Sequence, residues 1–373
     1  MALAMGLEMA IARLGVFAVL SASPRLADKF GNVEAPILFC VILLLIELIN
    51  FIVFSVMDAR LDRQMGVVDG GSSEDEFKVS DLGKIFRSKM FWLVALLCVL
   101  YYSAIFPFQK YAVNMLQCNL TFTTVDPNSF WATNTVTVIQ YIIMLIVAAA
   151  AFASNFSKNK NMKNGLLVLA VAALVVFCYM GYMRQSAETV FAVFPLLAVG
   201  ITPILGNFVD HKGKAASMLV LGSLLLIACH LTFAFVLPMF KGNAVGGIIV
   251  AYLTILVLGA SFSLVPASLW PSVPKLVDSK IIGSAYALIF WIQNIGLWLF
   301  PLLIGKVLDK TNPELVEGLK NGTITPEQAA VSYNYTAPLV MLACLGVAAL
   351  LLGFVLKVVD KKKGLGLEEP NIK

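Results

Sequence analysis

Arg13 stands in the run Ala10-Ile11-Ala12-Arg13-Leu14-Gly15, deep in an apolar stretch, where a guanidinium offers paired donors to a carboxylate. A charge so placed must face a water-filled cavity or an acidic partner. Arg13 therefore reads either as the receptor for an anionic or zwitterionic solute, or as a structural residue that pairs with Glu8 or snorkels to the interface. Glu8 lies five residues earlier, off the line along which helical neighbours meet, which argues against a direct pair. Glu47, in Leu45-Ile46-Glu47-Leu48-Ile49-Asn50, is the other intramembrane acid. An acid that alternates between wet and dry surroundings changes its proton affinity, so Glu8 and Glu47 are the candidates for proton coupling. The plainer reading of Glu47 is a carboxylate at headgroup level.

Amides and aromatics extend the set. Gln293 and Asn294 precede Gly296 in a long apolar stretch flanked by Trp291 and Trp298, so they line a passage or bond to neighbouring helices. Tyr101 and Tyr102, with Phe106, Pro107, Phe108 and Gln109, suit a bend at a cavity mouth or an aromatic anchor at the interface. Arg13, Tyr101, Tyr102, Gln293 and Asn294 form the candidate substrate-binding set. Gly206-Asn207-Phe208-Val209-Asp210-His211-Lys212-Gly213-Lys214 closes an apolar segment with a tight basic turn. Gly206 lets helices approach, Asp210 accepts bonds near a helix start, and Lys212, Gly213 and Lys214 lock the loop. Gly305-Lys306-Val307-Leu308-Asp309-Lys310 repeats that shape elsewhere, which makes Gly305 and Asp309 a second gate candidate.

Reaction chemistry is not indicated. His230, in Ala228-Cys229-His230-Leu231, reads as a structural histidine before it reads as a proton relay. The cysteines at 40, 98, 118, 178, 229 and 344 are scattered through apolar segments, so neither a disulfide framework nor a metal site is expected. No HExxH, CxxC or phosphate-loop pattern occurs, and no cofactor is expected. The chain does not read as an enzyme.

These residues need helices that cross a bilayer. Of 373 residues, 60% are hydrophobic and 13% charged, against roughly 25% charged in an ordinary soluble domain. The apolar segments fall at about 2–24, 35–57, 89–109, 134–155, 163–182, 188–209, 216–238, 243–268, 281–304 and 335–357, each near the roughly 20 residues that span a bilayer as helix. Pro266, Pro271 and Pro274 predict a broken or kinked end over 261–275. The expected class is an all-α polytopic membrane protein of about ten transmembrane helices, with the lipid bilayer and a small-molecule solute as partners. The net charge of +5 sits beside helix ends, so nucleic acid is not an expected partner. Lys and Arg concentrate in 58–89, 158–163, 212–214, 275–280 and 357–373, which predicts both termini cytoplasmic. The linker 58–88 carries Gly70-Gly71-Ser72-Ser73 and Glu74, Asp75 and Glu76, and cannot form a core, though part suits a short interfacial helix.

The polar landmarks taken in order resemble the major facilitator superfamily, nearest its lysosomal dipeptide transporter-like branch. They are Arg13 in Ala-Arg-Leu-Gly, Tyr101 to Phe108, Gly206 to Lys214, Leu269-Trp270-Pro271, Gly283-Ser284-Ala285-Tyr286 and Ile292 to Leu297. The resemblance covers most of the chain and implies a partial major facilitator-type bundle. Residues 1–57 match the last two helices of an amino-terminal half, 58–88 the central cytoplasmic linker, and 89–360 the carboxy-terminal half, with an inserted helix pair at about 133–182 and a tail at 361–373. It implies that the first four helices are missing, so an amino-terminal half or a partner subunit completes the bundle. It also implies secondary active or facilitative transport of a dipeptide, amino acid or organic anion by alternating access, with Arg13 in substrate recognition. The location expected is a bacterial inner membrane. The competing class is a nontransporting scaffold or partner subunit.

Overall fold

A computed structural model describes residues 2–64, 79–278 and 281–372. In chain order the helices are α1 (Ala2–Phe30), α2 (Glu34–Gln64), α3 (Val79–Arg87), α4 (Lys89–Asn119), α5 (Asn134–Phe156), α6 (Lys160–Met183), α7 (Ala187–Lys212) and α8 (Ala215–Leu231). They continue with α9 (Ala244–Leu276), α10 (Ile282–Thr311), α11 (Pro313–Lys320), α12 (Pro326–Ala330) and α13 (Thr336–Lys363). Among the described residues, ten helices are long and apolar enough to cross a membrane: α1, α2, α4 to α10 and α13. The chain is an all-α polytopic membrane bundle, as its apolar periodicity and segment lengths require.

Helix ends follow local sequence. Ser88, Thr133, Asn159, Ser186 and Asn243 each turn a side-chain oxygen onto the free N–H groups at the start of the next helix. Within the predicted linker, α2 continues through Gln64 and α3 forms a short amphipathic helix ahead of α4. The Gly70 to Glu76 run lies outside the described residues.

The core is built by α4, α7, α8, α9, α10 and α13. Helix α1 lies on α7 and α9, and α5 pairs with α6 and leans on α7. Its centre holds Tyr101, Phe108, Phe191, Phe194, Phe233 and Phe262. Helix α2 stands apart, touching α1 near one end, and its large apolar side chains from Ile37 to Leu61 are exposed, as lipid-facing residues would be.

Two sequence expectations change. Helix α9 runs without a break through Pro266, Pro271 and Pro274 to Leu276, which removes the broken end of the two expected forms and leaves the kinked one. One physical reason is visible: Pro274 cannot donate to the carbonyl of Trp270, and Tyr286 of α10 supplies the donor instead at 2.7 Å. The irregularity lies at the end of α8 instead, where a wide turn (Thr232–Val236) and a tight one (Leu237–Phe240) follow Leu231. Pro238 cannot offer the carbonyl of Ala234 the N–H four residues on, and Thr336 Oγ1 donates to it at 3.3 Å. The third span is longer than predicted, because Asn114 of its final turns is held by Ala330 O at 2.6 Å and by the hydroxyl of Tyr335.

Candidate functional site

Arg13 is carried by α1 onto the face that meets α4 and α9. Its guanidinium carbon lies 4.4 Å from the ring centre of Phe262 and 5.1 Å from that of Phe106. The residue is 6% exposed, and among the described residues its Nε has no hydrogen-bond partner. A desolvated cation between aromatic faces gains about 2 kcal/mol, well short of the several kcal/mol that burying an ion costs. An oxyanion brought to Arg13 would supply the missing compensation.

Rings around Arg13 are fixed from behind. Tyr102 stacks on Phe106 at 5.4 Å, and its hydroxyl accepts from Trp270 Nε1 at 3.0 Å. Trp270 in turn stacks on Phe290 at 4.6 Å and offers its carbonyl to Tyr286. The structure thus joins Arg13 and Tyr102 through Phe106, and adds Phe262 and Trp270, to which the residue pattern assigned no binding role. Phe262 is one apolar residue among many on α9, so nothing in its sequence setting distinguishes it.

Tyr101 is placed differently from its neighbour. Its hydroxyl meets Ser261 O and Ser261 Oγ, both at 2.7 Å, and Ser261 Oγ donates to Gly222 O at 2.8 Å, tying α4 to α9 and α8. Gln293 is buried on α10, where its Oε1 accepts from Cys98 Sγ at 3.2 Å. Three residues on, Gly296 lets α10 close against α4, since a Cβ there would collide with Ser103. Asn294 turns outward and donates to Phe290 O of its own helix at 2.9 Å. His230 is fully buried, with Nδ1 2.9 Å from Leu226 O, and among the described residues its Nε2 has no hydrogen-bond partner.

At the turn that ends α7, Asp210 is a hub. Its carboxylate accepts from the N–H of Leu3 at 2.8 Å and from Asn371 Nδ2 at 2.9 Å, and its carbonyl accepts from Ile372 N at 2.9 Å. Gly213 has φ +72, and a Cβ there would collide with the backbone of Glu368 and Glu369. Beyond it, the N–H groups of Lys214 and Ala215 reach Glu368 O and Leu367 O, both at 3.1 Å. Glu368 also takes the N–H of Ser217 at 2.7 Å, placing an anion at the start of α8. Lys275 Nζ at the end of α9 donates to Gly366 O at 2.7 Å. Residues 366–372 therefore strap together the ends of α7, α8 and α9, and Asp210 fastens the start of α1 to the same point. Gly206 is buried on α7, whereas Lys212 and Lys214 point outward.

Comparison with curated proteins finds relatives of one kind. The chain is similar to the lysosomal dipeptide transporter MFSD1 of Bos taurus, 30% identical over 129 residues, which is 35% of this chain and 25% of that protein. It is similar to the lysosomal dipeptide transporter MFSD1 of Danio rerio, 23% over 265 residues, covering 71% of this chain and 41% of the relative. The relative from Gallus gallus is 20% identical over 342 residues, covering 89% of this chain and 61% of its own length. The similarity supports membership of the major facilitator superfamily. The chain thus covers between a quarter and three fifths of the curated superfamily relatives it matches. No known family profile matches it, and no solved structure does.

The remaining residues of interest lie away from Arg13. Gly305 and Asp309 lie in the last turns of α10, which ends at Thr311, as Gly206 and Asp210 lie in the last turns of α7, which ends at Lys212; the two ends differ in their caps, Gly213 at φ +72 and Asn312 at φ −127. Glu8 is exposed on α1. Glu47 sits on the exposed surface of α2 with Leu44, Leu48, Asn50, Phe51 and Phe54 around it. Among the described residues there is no group of three or more His, Cys, Asp or Glu side chains able to hold a metal.

Proposed function

We propose that the chain takes part in secondary transport of a small solute bearing a carboxylate, with Arg13 receiving that carboxylate and alternating access carrying it across the membrane. The observation that supports this most is the buried Arg13 guanidinium, set between Phe106 and Phe262 with Nε unsatisfied among the described residues. The names of the relatives favour a dipeptide within that class, and amino acids and organic anions share the same carboxylate. In this reading Tyr102 shapes the site, Gln293 borders the route on α10, and the Asp210 turn with its strap gates the cytoplasmic side, where both termini lie. Glu8 and Glu47 are the groups through which a proton gradient would act.

Alternating access needs helices on both sides of a central site. The exposure of α2, with Glu47 on an apolar surface, supports further helices packing there, whether from a longer chain or from a partner subunit. The same exposure favours a second reading, a nontransporting partner subunit. The experiment is saturable uptake of a dipeptide into proteoliposomes by the protein isolated from its native membrane, with its intact mass and companions determined beforehand. Uptake abolished by Arg13→Ala supports transport through Arg13, and uptake unaffected by it removes Arg13 from the path. Stable recovery with a second membrane protein and no flux supports the partner reading.

A further inference from the structure

At the end of the bundle opposite the strap, two arginines face one cavity. Arg25 of α1 donates to Gln140 Oε1 of α5 at 3.4 Å. Arg184, at the end of α6, donates to the same oxygen at 3.4 Å and to Thr137 Oγ1 at 2.9 Å. One amide oxygen and one hydroxyl, both neutral, thus hold two guanidiniums side by side, and Gln140 itself is buried at 5% exposure. The Tyr141 ring lies 5.1 Å from the guanidinium carbon of Arg25. Burial first, and then the charge of Arg25, lower the pKa of Arg184, which reports the crowding of like charges. A guanidinium has five N–H donors, so these few bonds leave both arginines with donors to spare.

A cavity of about 320 Å³ opens against both side chains, within the lower range of small-molecule sites. Asp28 and Glu188 line the same cavity, and Glu188 accepts from Ser186 Oγ at 2.8 Å. We propose that this cavity binds a zwitterion, its oxyanion held by Arg25 and Arg184 and its ammonium group by Asp28 and Glu188. An oxyanion between the arginines replaces their repulsion with bidentate, charge-assisted bonds. The two carboxylates repel a polyanion and attract an attached cation. Arg25 lies twelve residues beyond Arg13, about 18 Å along the helix axis, so this is a separate site, and it holds whether or not the chain moves a solute. A free amino acid or dipeptide carries this chemistry, and so does a phosphatidylethanolamine headgroup.

The test uses the full chain purified in neutral detergent, in an Arg13→Gln background so that Arg13 contributes nothing. One arm titrates diglycine by calorimetry. The other measures phosphatidylethanolamine retained in native mass spectrometry, with phosphatidylglycerol as the anionic control. Diglycine binding that weakens at least tenfold in Arg25→Gln/Arg184→Gln assigns a soluble zwitterion. Selective phosphatidylethanolamine retention lost in the same variant assigns the headgroup. Because that variant could fold poorly, Gln140→Glu is the second probe: a carboxylate placed between the guanidiniums raises the Tm and abolishes binding of either zwitterion. Failure to bind either zwitterion overturns the proposal. Binding unchanged in the double arginine variant or in Gln140→Glu also overturns it.

Discussion

Asp210 accepts the backbone N–H of Leu3 at 2.8 Å, so the last turn of α7 is fastened to the first turn of α1, the helix that carries Arg13. The same carboxylate holds Asn371 of the tail. Asp210→Ala leaves these donors without their acceptor, and a lost bond to a charged group costs about 1.5–3 kcal/mol. The expected result is a lower Tm together with faster hydrogen exchange in both residues 3–8 and 366–372. Exchange confined to one of the two segments would contradict the shared hub.

Gly213 is required by its φ of +72 and by the tail backbone that crosses it. Gly213→Ala faces both the strain of a positive φ with extended ψ, about 1–3 kcal/mol, and the collision. Displacement of residues 366–372 relieves only the collision. Limited proteolysis should therefore cut the variant in the tail faster than the parent, with the rest of the bundle intact.

Glu368 places its carboxylate on the N–H and hydroxyl of Ser217, at the start of a helix that has no side-chain cap of its own. Glu368→Gln retains the shape and removes the charge. The expected loss is about 0.5–1 kcal/mol, the scale of an anion at a helix N-terminus, and thermal unfolding at low and high salt should show the difference narrowing as salt rises.

Tyr286→Phe removes the donor that answers the carbonyl freed by Pro274. The cost of leaving that buried acceptor unmet is about 1–3 kcal/mol. Since Trp270 also bonds Tyr102, the variant should shift the intrinsic tryptophan emission and, if the bundle transports, raise KM more than an equally destabilising change at Asp210.

Tyr335, outside the spans, is 4% exposed, and its phenol pKa is raised by burial first and then by Cys118, Tyr111 and Tyr333. A raised pKa in the folded state means the protonated phenol contributes stability that is complete below the ordinary tyrosine value, about 10, and is lost as pH climbs above it. A Tyr335→Phe protein should be less stable at neutral pH and lose less Tm than the parent between pH 9 and 11.

What was legible in advance followed from short-range physics. Ten apolar segments near a bilayer's thickness and a short amphipathic helix within 58–88 depend on neighbours a few residues away. The tight turn that follows Asp210 was legible for the same reason, because Gly213 among basic residues closes an apolar run. The partner of Asp210 at Leu3, more than two hundred residues away, was not. The unbroken α9 escaped notice because the answer to Pro274 is a hydroxyl on α10.

The sequence by itself determined that the chain is a membrane-spanning helical bundle and that Arg13 is an anomalous charge within it, since transfer of polar groups into hydrocarbon is costly for any residue wherever it lies in the fold. Only the tertiary structure decided that Phe106 and Phe262 enclose that charge, that Gln140 holds Arg25 beside Arg184, and that the tail reaches back to three helix ends. Those contacts join helices distant in the chain, and side-chain packing and hydrogen-bond geometry between helices are properties of their relative placement, to which local pattern is blind.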